Sequence, residues 1–364
     1  MNKNSLVNSE VPKYQVLSEL LREQIQSGQL LPGAALPTYN SLRAEHGMTI
    51  STIERAYGIL EQEGLIERRH GRGIFVTQPK RTFTGNIGLV GSEGFFGKSA
   101  FAFNQSIMEG IEKYTEENNL RVMLLGNCKN LDKELSRQVD GVLLYNIEYH
   151  QERLKNLPAS LPRISMFIKG SEISNVVVDD YEAAKIAVRH LVSRGHRKIA
   201  CLMEKCLSIP TLRFNGYRDA LAEEGIDYQA NWARITDFVC LGPNQSTYLT
   251  WGRDTMKQWI EEDWAESGCS ALLVQNDNAA IGAMQVLQEF GIRVPKDVSI
   301  MGFDGTELCH HVTPRLSSVK IPLAEIGYTA TKMLCEQIYQ GESENRTIML
   351  SPSLLPGDSV ATVD

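Results

Sequence analysis

Over residues 12–77 the apolar positions recur three times with helical spacing and then switch to alternation. In the first stretch Val16, Leu20, Leu21 and Ile25 share one face of a helix that opens at Pro12 and stops at Gly28. Leu31-Pro32-Gly33 reads as a turn, after which Thr38 is placed to cap a second helix through Leu42 to about His46, broken by Gly47. A third helix follows Met48, with Thr49 or Ser51 as its cap. Its stripe is Ile53, Ala56, Tyr57 and Leu60, at i, i+3, i+4 and i+7, and Gly64 ends it by tolerating a left-handed backbone. Leu65-Ile66 and Ile74-Phe75-Val76 then alternate like two short strands, with Arg68, Arg69, His70 and Arg72 at the tip between them.

From residue 84 the texture changes to short apolar strands alternating with helices. Strands are expected at 86–90, 121–125, 141–145 and 163–167, with helices near 104–118, 132–139 and 151–156. The pattern then restarts. Val176–Asp179 leads to a helix over 181–193, strands at 199–203, 234–238, 271–274 and 298–303, and helices over 213–224, 254–262 and 278–290. Such alternation predicts parallel βαβ units, and two series in tandem predict two lobes with a ligand cleft at the C-terminal ends of the strands. The expected division is residues 1–77 as one domain, 78–83 as a polar linker, and 84–364 as a two-lobed domain. Lobe 1 takes 84–178 and 323–349; lobe 2 takes 179–319 and 350–364.

Three helices followed by a basic β-hairpin is the layout of a winged helix-turn-helix, whose third helix enters a DNA major groove. Gly71 and Gly73 would let the hairpin backbone approach a minor groove. Charge adds to that picture. Residues 1–81 hold ten Lys/Arg against eight Glu and no Asp, a slight basic excess on a chain of net charge -7. The fold class is therefore α/β: a winged helix-turn-helix for double-stranded DNA, then a two-lobed domain with parallel sheets.

Several chemistries find no support. Seven scattered cysteines without a CxxC predict reduced, buried thiols of a cytoplasmic protein. Cys309-His310-His311, the one Cys/His cluster, has neighbours too close in sequence to converge on a metal ion. No apolar run reaches the ~18 residues of a membrane span, and the N-terminus lacks the apolar core of a signal peptide. The Gly-rich run Gly88–Gly97 departs from G-x-G-x-x-G, and Leu125-Gly126-Asn127 lacks the acidic ribose partner of a nicotinamide enzyme. Without G-x-S-x-G, Walker A or HExxH motifs, no enzyme is expected, and no cofactor.

Two resemblances sharpen the reading. Residues 12–77 resemble the GntR-type winged helix-turn-helix through Pro12-Lys13-Tyr14, Leu31-Pro32-Gly33, Leu36-Pro37-Thr38, Thr52-Ile53, Glu63-Gly64-Leu65-Ile66 and Gly71-Arg72-Gly73-Ile74-Phe75-Val76. The resemblance implies operator contacts from Thr38, Arg43, Thr49, Ser51, Thr52, Arg55, Arg68, Arg69, His70, Gly71 and Arg72. Ile50 and Glu54 stand where that family usually places arginines. Ile50 can make only apolar contacts, for instance to a thymine methyl, and Glu54 would accept from a cytosine amino group.

Residues 84–364 resemble the effector-binding domain of LacI/GalR-type repressors, itself similar to periplasmic sugar-binding proteins. The motifs are Val139-Asp140-Gly141-Val142, Val177-Val178-Asp179-Asp180, Gly195-His196-Arg197-Lys198-Ile199-Ala200, Arg213 with Gly216-Tyr217, Gln275-Asn276-Asp277, Val294-Pro295-Lys296-Asp297, and Gly302-Phe303-Asp304. The resemblance implies a ligand held by Arg213, Asn276 and Asp304, whose donors and acceptors suit a polyol. Aromatic cover is expected from Phe95, Phe96, Phe238, Trp251 or Phe303. Phe167-Ile168 replaces the family's frequent Asp-Arg, which keeps a nucleobase or nucleoside open as the alternative to a sugar. Together the two parts are similar to arabinose-repressor-like bacterial regulators. That implies a homodimer through the sensor domain, whose lobes close on a small effector and alter operator affinity.

Overall fold

A computed structural model describes residues 12–26, 29–31, 33–69, 71–77, 83–91, 101–125, 137–145, 157–158, 160–169, 172–205, 208–237, 247–340 and 344–363. The chain divides into two compact units, residues 1–82 and 83–364.

The first unit contains α1 (Lys13–Gln26), α2 (Tyr39–His46), α3 (Ile50–Gln62), β1 (Ile66–Arg69) and β2 (Gly73–Val76). Its helix ends follow local rules. The Thr38 hydroxyl accepts from the Ser41 N–H at 3.2 Å, and Thr49, not Ser51, caps α3 by accepting from the Thr52 N–H at 3.3 Å. Gly47 closes α2 in the left-handed region, and Gly64 does so after α3. Ile53, Ala56, Tyr57 and Leu60 are all fully buried, so the α3 stripe is the centre of this core. In α1 the buried face is Leu17, Ser18 and Leu21, whereas Val16, Leu20 and Ile25 are half-buried. The run VLSELL offers apolar residues to two adjacent faces, and packing against α3 selects the face one residue on. β1 and β2 pair antiparallel from Ile66↔Val76 to Arg69↔Gly73. Arg68 and Arg69 therefore belong to a strand, not to the hairpin tip as expected.

The second unit begins with β3 (Asn86–Val90), α4 (Phe101–Glu117), β4 (Arg121–Leu124), β5 (Gly141–Tyr145), β6 (Arg163–Met166) and β7 (Ser174–Val178). It continues with α5 (Asp180–Ser193), β8 (Ile199–Glu204), α6 (Ser208–Glu223), β9 (Ala233–Thr236), α7 (Tyr248–Glu262), α8 (Trp264–Ser267), β10 (Ala271–Val274), α9 (Asp277–Glu289), β11 (Ser299–Asp304) and β12 (Ser317–Lys320). It ends with α10 (Leu323–Gln340), β13 (Thr347–Leu350) and β14 (Ser353–Leu355). The helices expected near 132–139 and 151–156 lie outside the described residues, apart from a turn at Arg137–Val139. α6 and α7 start several residues before the expected positions, because Pro210 is tolerated in a first turn and Thr247 caps α7.

Two six-stranded sheets result, in the orders β4-β3-β5-β6-β7-β13 and β9-β8-β10-β11-β12-β14. All neighbours are parallel except β14, which runs antiparallel to β12. In each sheet the chain's second strand sits outside its first, so the strand order reverses between β3 and β5 and again between β8 and β10. Ligands of open α/β sheets bind at such reversals, beyond the C-terminal strand ends.

The chain crosses between the sheets three times: after β7, after β12 and after β13. Each crossing leaves a C-terminal strand end, and β14 begins beside the C-terminal end of β12, with Ser353 opposite Lys320. The C-terminal edges of the two sheets are thus tethered to one another, which defines a cleft between lobes.

Helices pack over the sheets in pairs held at glycine distance. A Cβ at Gly110 would strike the Ala324 carbonyl, and one at Gly327 the Ile107 carbonyl, which fixes α4 against α10. Gly252 and Gly282 do the same for α7 and α9. His196 tethers the last segment, its Nδ1 2.8 Å from Ser270 Oγ and its Nε2 3.2 Å from the Ala361 carbonyl. Burial lowers its pKa, so it stays neutral as a structural group. Gly282→Ala should force α7 and α9 apart and destabilise the domain by about 1–3 kcal/mol in chemical denaturation, the usual range for overpacking. Gly225→Ser, in an open turn, should show no such overpacking loss, leaving only the strain of its positive φ.

Candidate functional site

Arg213, in the second turn of α6, is buried at the C-terminal edge of the second sheet. Its Nε donates to Asp180 Oδ1 at 2.8 Å, one terminal nitrogen donates to the Gln275 carbonyl, and the other lies 3.8 Å from Asp304 Oδ1. Its guanidinium rests over the Phe303 ring, 4.4 Å from the centroid. Four segments therefore converge on one cation: the α5 N-terminus, α6, and the ends of β10 and β11. Phe303 is fully buried beneath it and cannot cover a ligand; Trp251 is also buried, its Nε1 donating to Thr236 Oγ1 at 3.2 Å.

Burial, opposed by Arg213 and reinforced by Asp277 and Asp180, pushes the Asp304 carboxyl well above the usual carboxylate range. Asp304 also sits at φ 105°, a region that L residues avoid. Asp277 has a fixed structural role, accepting from Thr306 N–H at 2.8 Å and Ser318 Oγ at 2.6 Å. Asn276 caps α9, its Oδ1 accepting from the Ala279 N–H at 2.9 Å, so its amide donors are what remain for a ligand.

Beside these, at the strand-order reversal, Glu204 ends β8 and Gln275 follows β10. Gln275 Nε2 donates to Glu204 Oε2 at 3.2 Å, and the Tyr248 hydroxyl donates to the same oxygen at 3.1 Å. Burial raises the Glu204 pKa. Gln275 was quoted from sequence within the Gln275-Asn276-Asp277 motif, whereas Glu204 and Tyr248 were not singled out. The one signal for Glu204 was its place at the end of a strand.

The facing edge of the first lobe is aromatic. Phe167, just past β6, has φ 72° and packs on Phe103 and Tyr145 with ring centroids 5.4 and 5.7 Å apart. Only three described non-glycine residues have positive φ, and two of them, Phe167 and Asp304, end strands at the tethered edges. Phe95, Phe96 and Phe238 lie outside the described residues, as does His70. Among the described residues no group of three or more His, Cys, Asp or Glu could hold a metal, and no helix is long and apolar enough to cross a membrane.

In the first unit an open depression of about 580 Å³ is lined by Arg43, Gly47, Met48, Thr49, Ile50 and Ser51. The hydroxyls of Thr49, Ser51 and Thr52 form one cluster, with Thr49 Oγ1 3.0 and 2.8 Å from the other two. Thr38, the α2 cap, is exposed, as are Arg43, Arg55, Gly71 and Arg72. Arg55 lies over the Tyr14 ring at 4.1 Å. Two wing arginines are engaged within the unit: Arg68 with Glu61 at 2.9 Å and the Tyr39 hydroxyl at 3.1 Å, Arg69 with Glu67 at 2.7 Å and the Phe75 ring.

A winged helical head and a two-lobed parallel-sheet body with a polar cleft define a ligand-responsive DNA-binding protein. Residues 13–76 match the gntR family of bacterial regulatory proteins, and residues 188–360 match the periplasmic binding protein-like domain. The chain is 28% identical over 268 residues to a ribose operon repressor of Haemophilus influenzae, covering 71% of this chain and 77% of that one. It is 27% identical over 311 residues to the transcriptional repressor PurR of Aliivibrio salmonicida, covering 82% and 88%. Among solved structures it is similar to the CelR–cellobiose complex (TM-score 0.66, 22% identity, 89% of this chain and 100% of that one). It is also similar to a ribose-bound LacI-family regulator of Enterococcus faecium (TM-score 0.63, 23% identity, 77% and 100%). The chain is a transcriptional regulator that joins a gntR-family helix-turn-helix to a periplasmic binding protein-like sensor.

Two measurements check these sites. Arg72, exposed and without a described ion pair, should contact phosphate; Arg72→Ala is expected to flatten the slope of log affinity against log salt by about one unit. For Asp304, a folded pKa above the unfolded value means the native state binds the extra proton. Stability then rises as pH falls through the window between the two pKa values. Asp304→Asn, which mimics the protonated form, should therefore be more stable than wild type at neutral and alkaline pH, with the gap narrowing as pH falls toward the unfolded aspartate value of about 4.

Proposed function

We propose that this regulator is a repressor whose operator affinity is set by a small sugar-like effector held between the lobes. The observation that carries the reading is the Arg213–Asp304 pair at the C-terminal edge of the second lobe, beside Asn276. Arg213 is oriented by Asp180 and the Gln275 carbonyl, so its remaining N–H groups are pre-aimed, and Asp304 presents its carboxyl oxygens next to them. Vicinal hydroxyls satisfy such a pair simultaneously, donating to a carboxyl oxygen and accepting from the guanidinium. The ribose repressor and the sugar-bound structural relatives support this ligand class.

A second reading rests on a specific feature. Phe103, Tyr145 and Phe167 give the first lobe an aromatic edge where LacI/GalR-type sensors often have Asp-Arg. A planar nucleobase would stack on the half-buried Phe103 at that edge. In either case a ligand spanning both edges favours the closed arrangement. The reading includes double-stranded operator DNA as partner, a homodimer through the sensor domain, Arg43, Thr49, Ser51, Thr52, Arg55 and the wing as DNA contacts, and a cytoplasmic location without enzymatic turnover.

A thermal-shift screen against pentoses, hexoses, their phosphates and nucleosides separates the two ligand classes. A stabilising ligand at 100 times its dissociation constant adds about 2.7 kcal/mol. Arg213→Ala and Asp304→Ala are expected to abolish that shift, and a shift that survives both changes would place the ligand elsewhere.

A further inference from the structure

The exposed side of α3 carries a strip that the fold does not need. Ile50, Glu54 and Gly58 follow one another at i, i+4 and i+8, a single ridge clear of the buried stripe. Ile50 is 47% exposed, a large apolar side chain on the lip of the depression that Arg43, Thr49 and Ser51 also line. Glu54 is exposed, and no described cation pairs with it. Gly58 lies in regular helix, where a Cβ would meet nothing within 4 Å, so no neighbour in the protein requires glycine there. Glycine is nonetheless among the poorest helix formers, and an empty space on a reading helix leaves room for something outside the protein.

Three nearby arginines are turned to other partners, while Arg43 lines the depression beside Ile50 without lying on the ridge. Arg55 is stacked on Tyr14, Arg68 is held by Glu61 and Tyr39, and Arg69 by Glu67 and Phe75. The bidentate fork that reads guanine is thus absent from this ridge.

We propose that the Ile50–Glu54–Gly58 ridge specifies the operator. Ile50 packs on a thymine methyl, Glu54 accepts from a cytosine amino group, and Gly58 admits the DNA close to the helix. The inference rests on the reading of α3 as the DNA-entering helix. A four-residue step advances about 6 Å along a helix, against about 3.4 Å per base step. The thymine and the cytosine therefore stand about two base pairs apart.

The test is selection of full-length protein on random duplexes, followed by affinity measurements on the enriched site. The expected site contains a T·A pair with a C·G pair about two steps away. Replacing that thymidine by deoxyuridine deletes only the methyl and should weaken wild-type binding by about fourfold, with no effect on Ile50→Ala. Gly58→Ala should raise the melting temperature of the DNA-binding unit by about 5 °C while weakening operator binding several-fold. A deoxyuridine site bound as tightly as the thymidine site overturns the assignment. So does a Gly58→Ala protein that is stabilised at unchanged affinity. Failure to enrich any duplex would instead count against DNA binding itself.

Discussion

One buried guanidinium organises the sensor. Arg213 is buried against Asp180 and Asp304, with Asp277 acting on Asp304 beside it, and a single cation cannot neutralise all three carboxyls. Such clusters are held at the expense of stability, because removing charges from water costs several kcal/mol each before their attraction returns any of it. What the cluster supplies is position. Asp180 ties Arg213 to the first residue of α5, the Gln275 carbonyl ties it to the end of β10, and Phe303 supports it from below. Arg213 is therefore held in place before the proposed ligand would arrive, an arrangement that lowers the ordering cost of binding.

The first lobe contributes a different chemistry to the same cleft. Phe167 adopts a backbone conformation that a bulky residue avoids, and Phe103 and Tyr145 hold it there. Polar groups on one edge and aromatic faces on the other are what a ring with distinct polar and apolar surfaces needs. Because the three interlobe crossings leave from C-terminal strand ends, the closure proposed above would move the lobes about those connections and leave both strand orders intact.

Local signals were the legible ones. Thr38, Thr49, Gly47, Gly64 and the Ile53–Leu60 stripe act over three or four residues, so their consequences can be read without knowing the fold. The α1 face was misplaced by one residue because VLSELL offers two apolar faces, and only packing against α3 chooses between them. Arg213, Asn276 and Asp304 came from motif resemblance, and Gln275 was quoted in the same motif as Asn276, whereas Glu204 and Tyr248 were invisible. Their hydrogen bonds join residues 71 and 44 positions apart, a relation set by strand order. The wing arginines looked free in sequence, yet Glu61, on the neighbouring helix, and Glu67, on the same strand, engage two of them.

The central claim is that the Arg213 cluster senses an effector and passes the result to a separate winged helix. It is tested most directly by measuring operator affinity of the full chain with and without the effector, in wild type and in Arg213→Ala. The account predicts that effector changes wild-type affinity by 5-fold or more, roughly the range of ordinary allosteric coupling. It further predicts that Arg213→Ala binds operator as wild type does without effector, whatever the effector concentration. An Arg213→Ala protein that still responds to effector, at any affinity, would contradict it.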